Sequence, residues 1–122
     1  MPNSRVYVAP SKIAKGERGV FAEGVIKRGE TVEKCPFIEI SQKEAERSVL
    51  INYTFFFGKD RAALALGYGS LYNHSESPNA SFKINEKDKE IVFTAIREIN
   101  KDEEITFDYG GGEQRNPLWF EV

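Results

Sequence analysis

Apolar and polar positions alternate along most of the chain, and the period of two predicts strands far more often than helices. Val6 and Val8, alternating with Arg5 and Tyr7, give a first short strand. Lys15-Gly16-Glu17-Arg18-Gly19 is a charged, glycine-rich turn that runs into the apolar strand Val20-Phe21-Ala22. A turn at Lys27-Arg28-Gly29-Glu30 precedes a strand from Thr31, and Phe37 to Ile40 reads as a further, separate strand. Ser41-Gln42-Lys43-Glu44 has the spacing of a capping box and predicts a short helix from Gln42 to about Arg47. Val49 to Phe57 is the most hydrophobic window and predicts buried wall, part of it lining a pocket, ended by Gly58-Lys59-Asp60. Ala80, Phe82 and Ile84 alternate with polar neighbours, Asn85 to Lys89 turns, and Ile91 to Ala95 returns as the second arm of a hairpin.

A weak internal echo accompanies these strands. Val20-Phe21-Ala22 leads to Ile26, Lys27, Glu30 and Val32, while Val92-Phe93-Thr94 leads to Ile99, Asn100, Glu103 and Ile105. Two such units predict a mostly β architecture of similar curved ribbons.

Two stretches carry the candidate chemistry. Gly67 to Asn79, Gly-Tyr-Gly-Ser-Leu-Tyr-Asn-His-Ser-Glu-Ser-Pro-Asn, follows the apolar run Ala62 to Leu66 and holds the chain's one histidine. Its glycines permit positive φ or close approach of another backbone, and its Asn and Ser side chains bond locally or to a ligand. Taken alone, it reads as a punctuated turn with a satisfied histidine. Later, Glu103-Glu104-Ile105-Thr106-Phe107-Asp108-Tyr109 sets two rings two residues apart on one strand, so both point to the same face. Three glycines come next, and the tail carries Trp119 and Phe120.

Composition narrows the function. The 122 residues suit one domain, 1–122, with a core from about 5 to 112 and a tail from 113 to 122. Seventeen basic against nineteen acidic residues give a net charge of −2, with no basic run longer than Lys27-Arg28. Nucleic-acid binding is therefore not expected. No apolar run has membrane-spanning length, so no membrane partner is expected either. With one histidine and one cysteine far apart there is no zinc-type ligand spacing, and no metal is expected. The lone Cys35 and the absence of an apolar leader point to an intracellular setting, cytoplasmic or nuclear.

Taken in order, Gly-Glu-Arg-Gly-Val-Phe-Ala at 16–22, Tyr-Asn-His-Ser-x-x-Pro-Asn at 72–79 and Glu-Glu-Ile-Thr-Phe-Asp-Tyr-Gly at 103–110 resemble the SET-domain protein lysine methyltransferases. The resemblance runs from about Arg5 to Tyr109 and is nearest to the minimal, free-standing SET proteins without cysteine-rich flanking modules. It implies small curved β-sheets with one or two short helices around a C-terminal pseudoknot, in which Glu104 to Tyr109 passes under a loop near Asn73. It also implies S-adenosylmethionine as cofactor and a lysine in a protein or peptide tail, such as a histone, as substrate. By the same resemblance Arg18, Gly19, Tyr72, Asn73 and His74 bind the cofactor, Tyr53 and Phe107 line a lysine channel, and Tyr109 is the catalytic tyrosine. Glu17 departs from the family's Gly-x-Gly, with Gly16 one step earlier. In the absence of a cysteine-rich lid, Trp119 and Phe120 would cover the channel, in cis or across a homodimer. The competing readings are a SET-like module that binds a peptide without catalysis, and a structural β domain with a buried histidine.

Overall fold

The computed structural model describes residues 5–109. Among these residues nine strands form two sheets. The smaller has the order β1-β2-β9-β6, made from β1 (Val6–Pro10), β2 (Arg18–Ala22), β6 (Asn73–His74) and β9 (Glu104–Phe107). The larger has the order β4-β5-β3-β8-β7, from β3 (Thr31–Ser41), β4 (Thr54–Phe57), β5 (Arg61–Ala65), β7 (Ala80–Asn85) and β8 (Glu90–Ala95). Helix is confined, among the described residues, to α1 (Gln42–Glu46) and a 3-10 turn at Val49–Asn52. The predicted capping box starts α1: Ser41 Oγ accepts from the Glu44 N–H at 3.1 Å, and the Glu44 carboxylate accepts from the Ser41 N–H at 3.3 Å.

The two short strands expected around Thr31 and Phe37 are one strand of 11 residues. Its first part pairs with β8 and its second with β5, and Pro36 sits at the handover. The Pro36 carbonyl accepts from Leu66 N at 2.8 Å, just past the end of β5, so the N–H that proline lacks would have faced that side, and its absence ends the β3–β5 ladder there.

The echo in sequence is an approximate two-fold in space. Ile26 and Ile99 exchange both backbone hydrogen bonds, at 2.9 and 2.8 Å. Glu30 Oε1 accepts from the Lys27 N–H and Glu103 Oε1 from the Asn100 N–H, both at 2.9 Å. The Ala95 N–H donates to the Glu30 carbonyl and the Ala22 N–H to the Glu103 carbonyl, both at 3.0 Å. Gly29 and Asp102, at φ of 87° and 64°, occupy the matching left-handed positions of the two turns. Each unit's strands pair with the other's, β2 with β9 and β8 with β3.

The main core lies between the sheets. Phe55, Phe82, Phe93, Phe107 and Tyr72 pack ring to ring, with centroids 4.5 to 6.1 Å apart. Edge-on and offset contacts at this spacing add to the burial of each ring. A smaller cluster of Ala45, Phe56 and Ala62 seats α1 on the outer face of the larger sheet.

Candidate functional site

β9 runs between β2 and the two-residue β6, and the whole site is a consequence of that insertion. With β6 it forms the one parallel pairing among the described strands, Asn73 opposite Thr106 and His74 opposite Phe107. Two residues of ladder hold little by themselves. Asn79, 1% exposed, extends the connection through its side chain: Nδ2 donates to the Glu104 carbonyl at 2.9 Å, and Oδ1 accepts from the Thr106 N–H at 2.9 Å. One amide side chain thus serves two backbone groups of β9 as a strand would.

Past Phe107 the chain turns across the loop. The Tyr109 N–H donates to His74 Nδ1 at 3.1 Å, and the Tyr109 hydroxyl donates to the Tyr72 carbonyl at 3.0 Å. The rings of His74 and Tyr109 lie 5.1 Å apart, and Asp108 Oδ1 is 3.8 Å from His74 Nδ1. Burial, with the nearby Tyr53 and Glu17 adding to it, pushes the Tyr109 phenol up to about 12. The phenol is consequently a neutral hydrogen-bond donor at physiological pH.

The loop that presents Tyr72 to His74 is pinned from behind by Glu33. Its carboxylate accepts from the Tyr72 hydroxyl at 2.6 Å and from the Tyr68 N–H at 3.2 Å. Gly67, at φ 64°, lies so close that a Cβ there would stand 2.8 Å from Glu33 Oε2. Burial, together with the Glu33 carboxylate, raises the Tyr72 phenol well above its ordinary value.

On the other side of β9, Asn73 Nδ2 donates to the Arg18 carbonyl at 2.9 Å and to Glu104 Oε2 at 3.0 Å. Gly19 owes its identity to close approach: a Cβ on it would lie 2.5 Å from Glu104 Oε2 and 3.3 Å from Asn73 Nδ2.

The structure therefore gathers Arg18, Gly19 and Asn73 at one end of β9 and Tyr72, His74, Phe107 and Tyr109 at the other. Tyr72 contributes its carbonyl to the site, while its ring is in the core, stacked on Phe93 at 4.5 Å. Phe107, 3% exposed, is a hub touching the rings of Phe55, Tyr72, Phe82, Phe93 and Tyr109. Tyr53, 42% exposed, succeeds the 3-10 turn and is an electrostatic neighbour of Tyr109. His74 is exposed, which removes the reading of a structural domain around a buried histidine. Trp119 and Phe120 lie outside the described residues. Sequence reasoning assigns nothing to Glu33, and it includes Asn79 and Glu104 in the motifs without finding the bonds they make. For Asn79 the signal is the Pro-Asn pair closing the loop; Glu33 and Glu104 look like any acidic residue on a strand.

Residues 17–110 match the SET domain, well over half of the chain. The chain belongs to the SET-domain family. Over 108 residues this SET domain is 35% identical to the H3 lysine-37 specific histone-lysine N-methyltransferase of Schizosaccharomyces pombe, covering 85% of this chain and 70% of that protein. A candidate histone methyltransferase of Plasmodium falciparum has a crystal structure that superimposes with a TM-score of 0.78 at 35% identity, covering 89% of this chain and 96% of that one. An H3 lysine-4 specific histone-lysine N-methyltransferase of Emericella nidulans shares 47% identity over 45 residues, 35% of this chain and only 4% of that protein. The inserted β9 and the two small sheets are the SET arrangement that the three motifs implied.

Proposed function

We propose that this SET domain is an S-adenosylmethionine-dependent protein lysine N-methyltransferase acting on a histone tail or a similarly basic protein segment. The observation that carries the reading is the Tyr109 hydroxyl, fixed 3.0 Å from the Tyr72 carbonyl beside the aromatic cluster of Phe107. Kinship with histone-lysine N-methyltransferases supports the same chemistry.

The residues present fit the cofactor. The close packing at Gly19 brings the Arg18 to Val20 backbone against Asn73, whose side-chain oxygen, among the described residues, receives no hydrogen bond. Arg18, Gly19, Asn73 and His74 would hold it, with Tyr72 contributing backbone. When bound, it supplies an electrophilic methyl group.

The chain's own residues address two other barriers. At pH 7 a free lysine of pKa about 10.4 is almost wholly protonated, and deprotonation costs roughly 4.6 kcal/mol. A channel walled by Phe107, Tyr53 and Tyr109 disfavours the ammonium by desolvation. Orientation is the second barrier, and holding two reactants in a near-attack geometry is worth on the order of 7–11 kcal/mol. Tyr109 contributes to it as a fixed donor, its ring braced by His74 on one side and Phe107 on the other. Proton abstraction by the phenol is not part of this mechanism, because a phenol raised to about 12 carries no charge near neutrality.

A histone substrate would place the protein with chromatin. The test is transfer of labelled methyl from S-adenosylmethionine to a peptide array spanning histone tails and other lysine-rich segments, with Tyr109→Phe as control. Wild-type labelling that the variant lacks is the expected result. A well-folded chain that labels no lysine peptide and binds no S-adenosylmethionine would refute the reading.

A further inference from the structure

Glu104 is 8% exposed, and none of its hydrogen-bond partners among the described residues is a cation. Its Oε1 accepts from the Lys12 N–H at 2.8 Å, its Oε2 from Asn73 Nδ2 at 3.0 Å, and the Ser11 hydroxyl reaches both oxygens at 3.1 and 2.8 Å. Burying a carboxylate without a counter-charge is costly, and an apolar residue would fill the space without that cost. What the carboxylate provides is acceptors on both sides. A primary amide such as Asn73 has two protons on nitrogen and none on oxygen. Both protons are taken here, one by Glu104 and one by the Arg18 carbonyl. The amide can satisfy those two acceptors in one orientation only, which leaves Oδ1 as the end that faces a ligand.

We propose that Glu104 is a positioning residue that holds the Asn73 amide with its oxygen presented, so that the site selects ligands bearing a protonated amine there. The proposal rests on the methyltransferase reading, in which the amine is the α-ammonium of the cofactor. Glutamine at 104 keeps the shape but has one acceptor oxygen for the three donors that face the carboxylate. The Lys12 N–H is backbone and cannot turn away, so the glutamine oxygen goes to it and the glutamine NH2 faces Asn73. Asn73 is then pushed to turn its oxygen inward, against the Arg18 carbonyl, and its grip on an ammonium is lost either way.

The test is isothermal titration of the full chain with S-adenosylhomocysteine, which carries the α-ammonium, and with 5′-methylthioadenosine, which keeps the thioether and adenosine but lacks the amino acid. Glu104→Gln is expected to weaken the first about tenfold and leave the second within twofold. Ser11→Ala, which withdraws one donor from the carboxylate and leaves the residues of β9 unchanged, should act in the same direction by about threefold and serves if the glutamine variant does not fold. Equal weakening of both ligands, or no change in either, overturns the proposal. Independently of any ligand, the side-chain NH2 resonances of Asn73 in the wild type should be protected from hydrogen exchange and lose that protection in the variants. Unprotected wild-type resonances overturn the proposal even if 5′-methylthioadenosine binds too weakly to titrate. Protected resonances in a wild type that binds neither nucleoside leave Glu104 positioning Asn73 and refute the cofactor reading instead.

Discussion

Replacing Asn79 by alanine should loosen the whole molecule, because the side chain adds two buried hydrogen bonds to the short ladder between the loop and β9. The truncation deprives two backbone groups of their partner, the Glu104 carbonyl and the Thr106 N–H, in residues only 8% and 6% exposed. An unsatisfied buried group costs about 1–3 kcal/mol, so the pair is worth roughly 2–4 kcal/mol if some relaxation is allowed. The contact between Nδ2 and Glu103 Oε2 at 3.2 Å is lost as well, but it sits nearer solvent and adds little. Against a domain stability of about 5–15 kcal/mol this is a large fraction, and the melting temperature should fall by roughly 10–25 °C. Urea and thermal unfolding followed by circular dichroism measure it. Asn79→Asp separates the two halves: it keeps an acceptor for Thr106 but sets a carboxylate against the Glu104 carbonyl and Glu103. It should be as damaging as alanine at pH 7, with part of the stability returning as the pH falls and the introduced carboxyl takes up a proton. A loss below about 1 kcal/mol for Asn79→Ala would mean that β9 is held without this side chain, and the account of the insertion would be wrong.

Gly19→Ala forces a Cβ to within 2.5 Å of Glu104 Oε2, so it should cost about 1–3 kcal/mol of stability and at least tenfold in S-adenosylhomocysteine affinity, read by unfolding and titration. Phe107→Tyr adds a hydroxyl to a ring that is 3% exposed; it should lower the number of methyl groups added per lysine, and an unchanged product distribution by mass spectrometry counts against Phe107 as a channel wall. Because the folded Tyr109 phenol titrates near 12 while the unfolded one titrates near 10, its contribution to stability is complete below pH 10 and is lost between pH 10 and 12. The methylation rate should accordingly rise with pH as substrate lysine deprotonates, without a descending limb from this group; a wild-type limb near pH 8–9, matched by the appearance of tyrosinate absorbance at the same pH, would show the phenol acting as an acid.

The parts of this fold that can be read in the sequence are the local ones. Both arms of the β7 and β8 hairpin alternate with a period of two around an intervening turn signal, and the strands form within a residue of their expected bounds. The Ser41 to Glu44 capping box joins partners three residues apart and holds in detail. The three motifs, far apart in the chain, come together around β9, which is where the candidate site is drawn. The missing parts depend on partners far apart in the chain. Tyr109 meets His74 across 35 positions, Asn73 meets Arg18 across 55, and Ser11 meets Glu104 across 93. A strand of two residues such as β6 has no period to detect, and the direction of the Tyr72 ring is set by Glu33, which sits 39 positions earlier. Pro36 misleads because a proline ordinarily ends a strand; here it marks a change of neighbour within one.

The approximate two-fold explains where in this fold chemistry can be placed. In both units a strand enters a glutamate-capped turn and an isoleucine bridge, and the two turns hold each other through equivalent backbone bonds, so this half of the molecule is fixed twice over. Beyond the turn the two units diverge. β3 continues to Ser41 and is joined by β5 in a regular antiparallel ladder, whereas β9 ends at Phe107 and is joined by only two residues of a loop. At that break the ladder gives way to side chains. Asn79 replaces backbone partners, Asn73 and Glu104 satisfy each other, and the freed chain carries Tyr109 back across His74. A complete strand in the place of β6 would pair the backbone groups of β9 that Asn79 now serves, and the loop that carries Asn73 and His74 would no longer be free to turn beneath Tyr109.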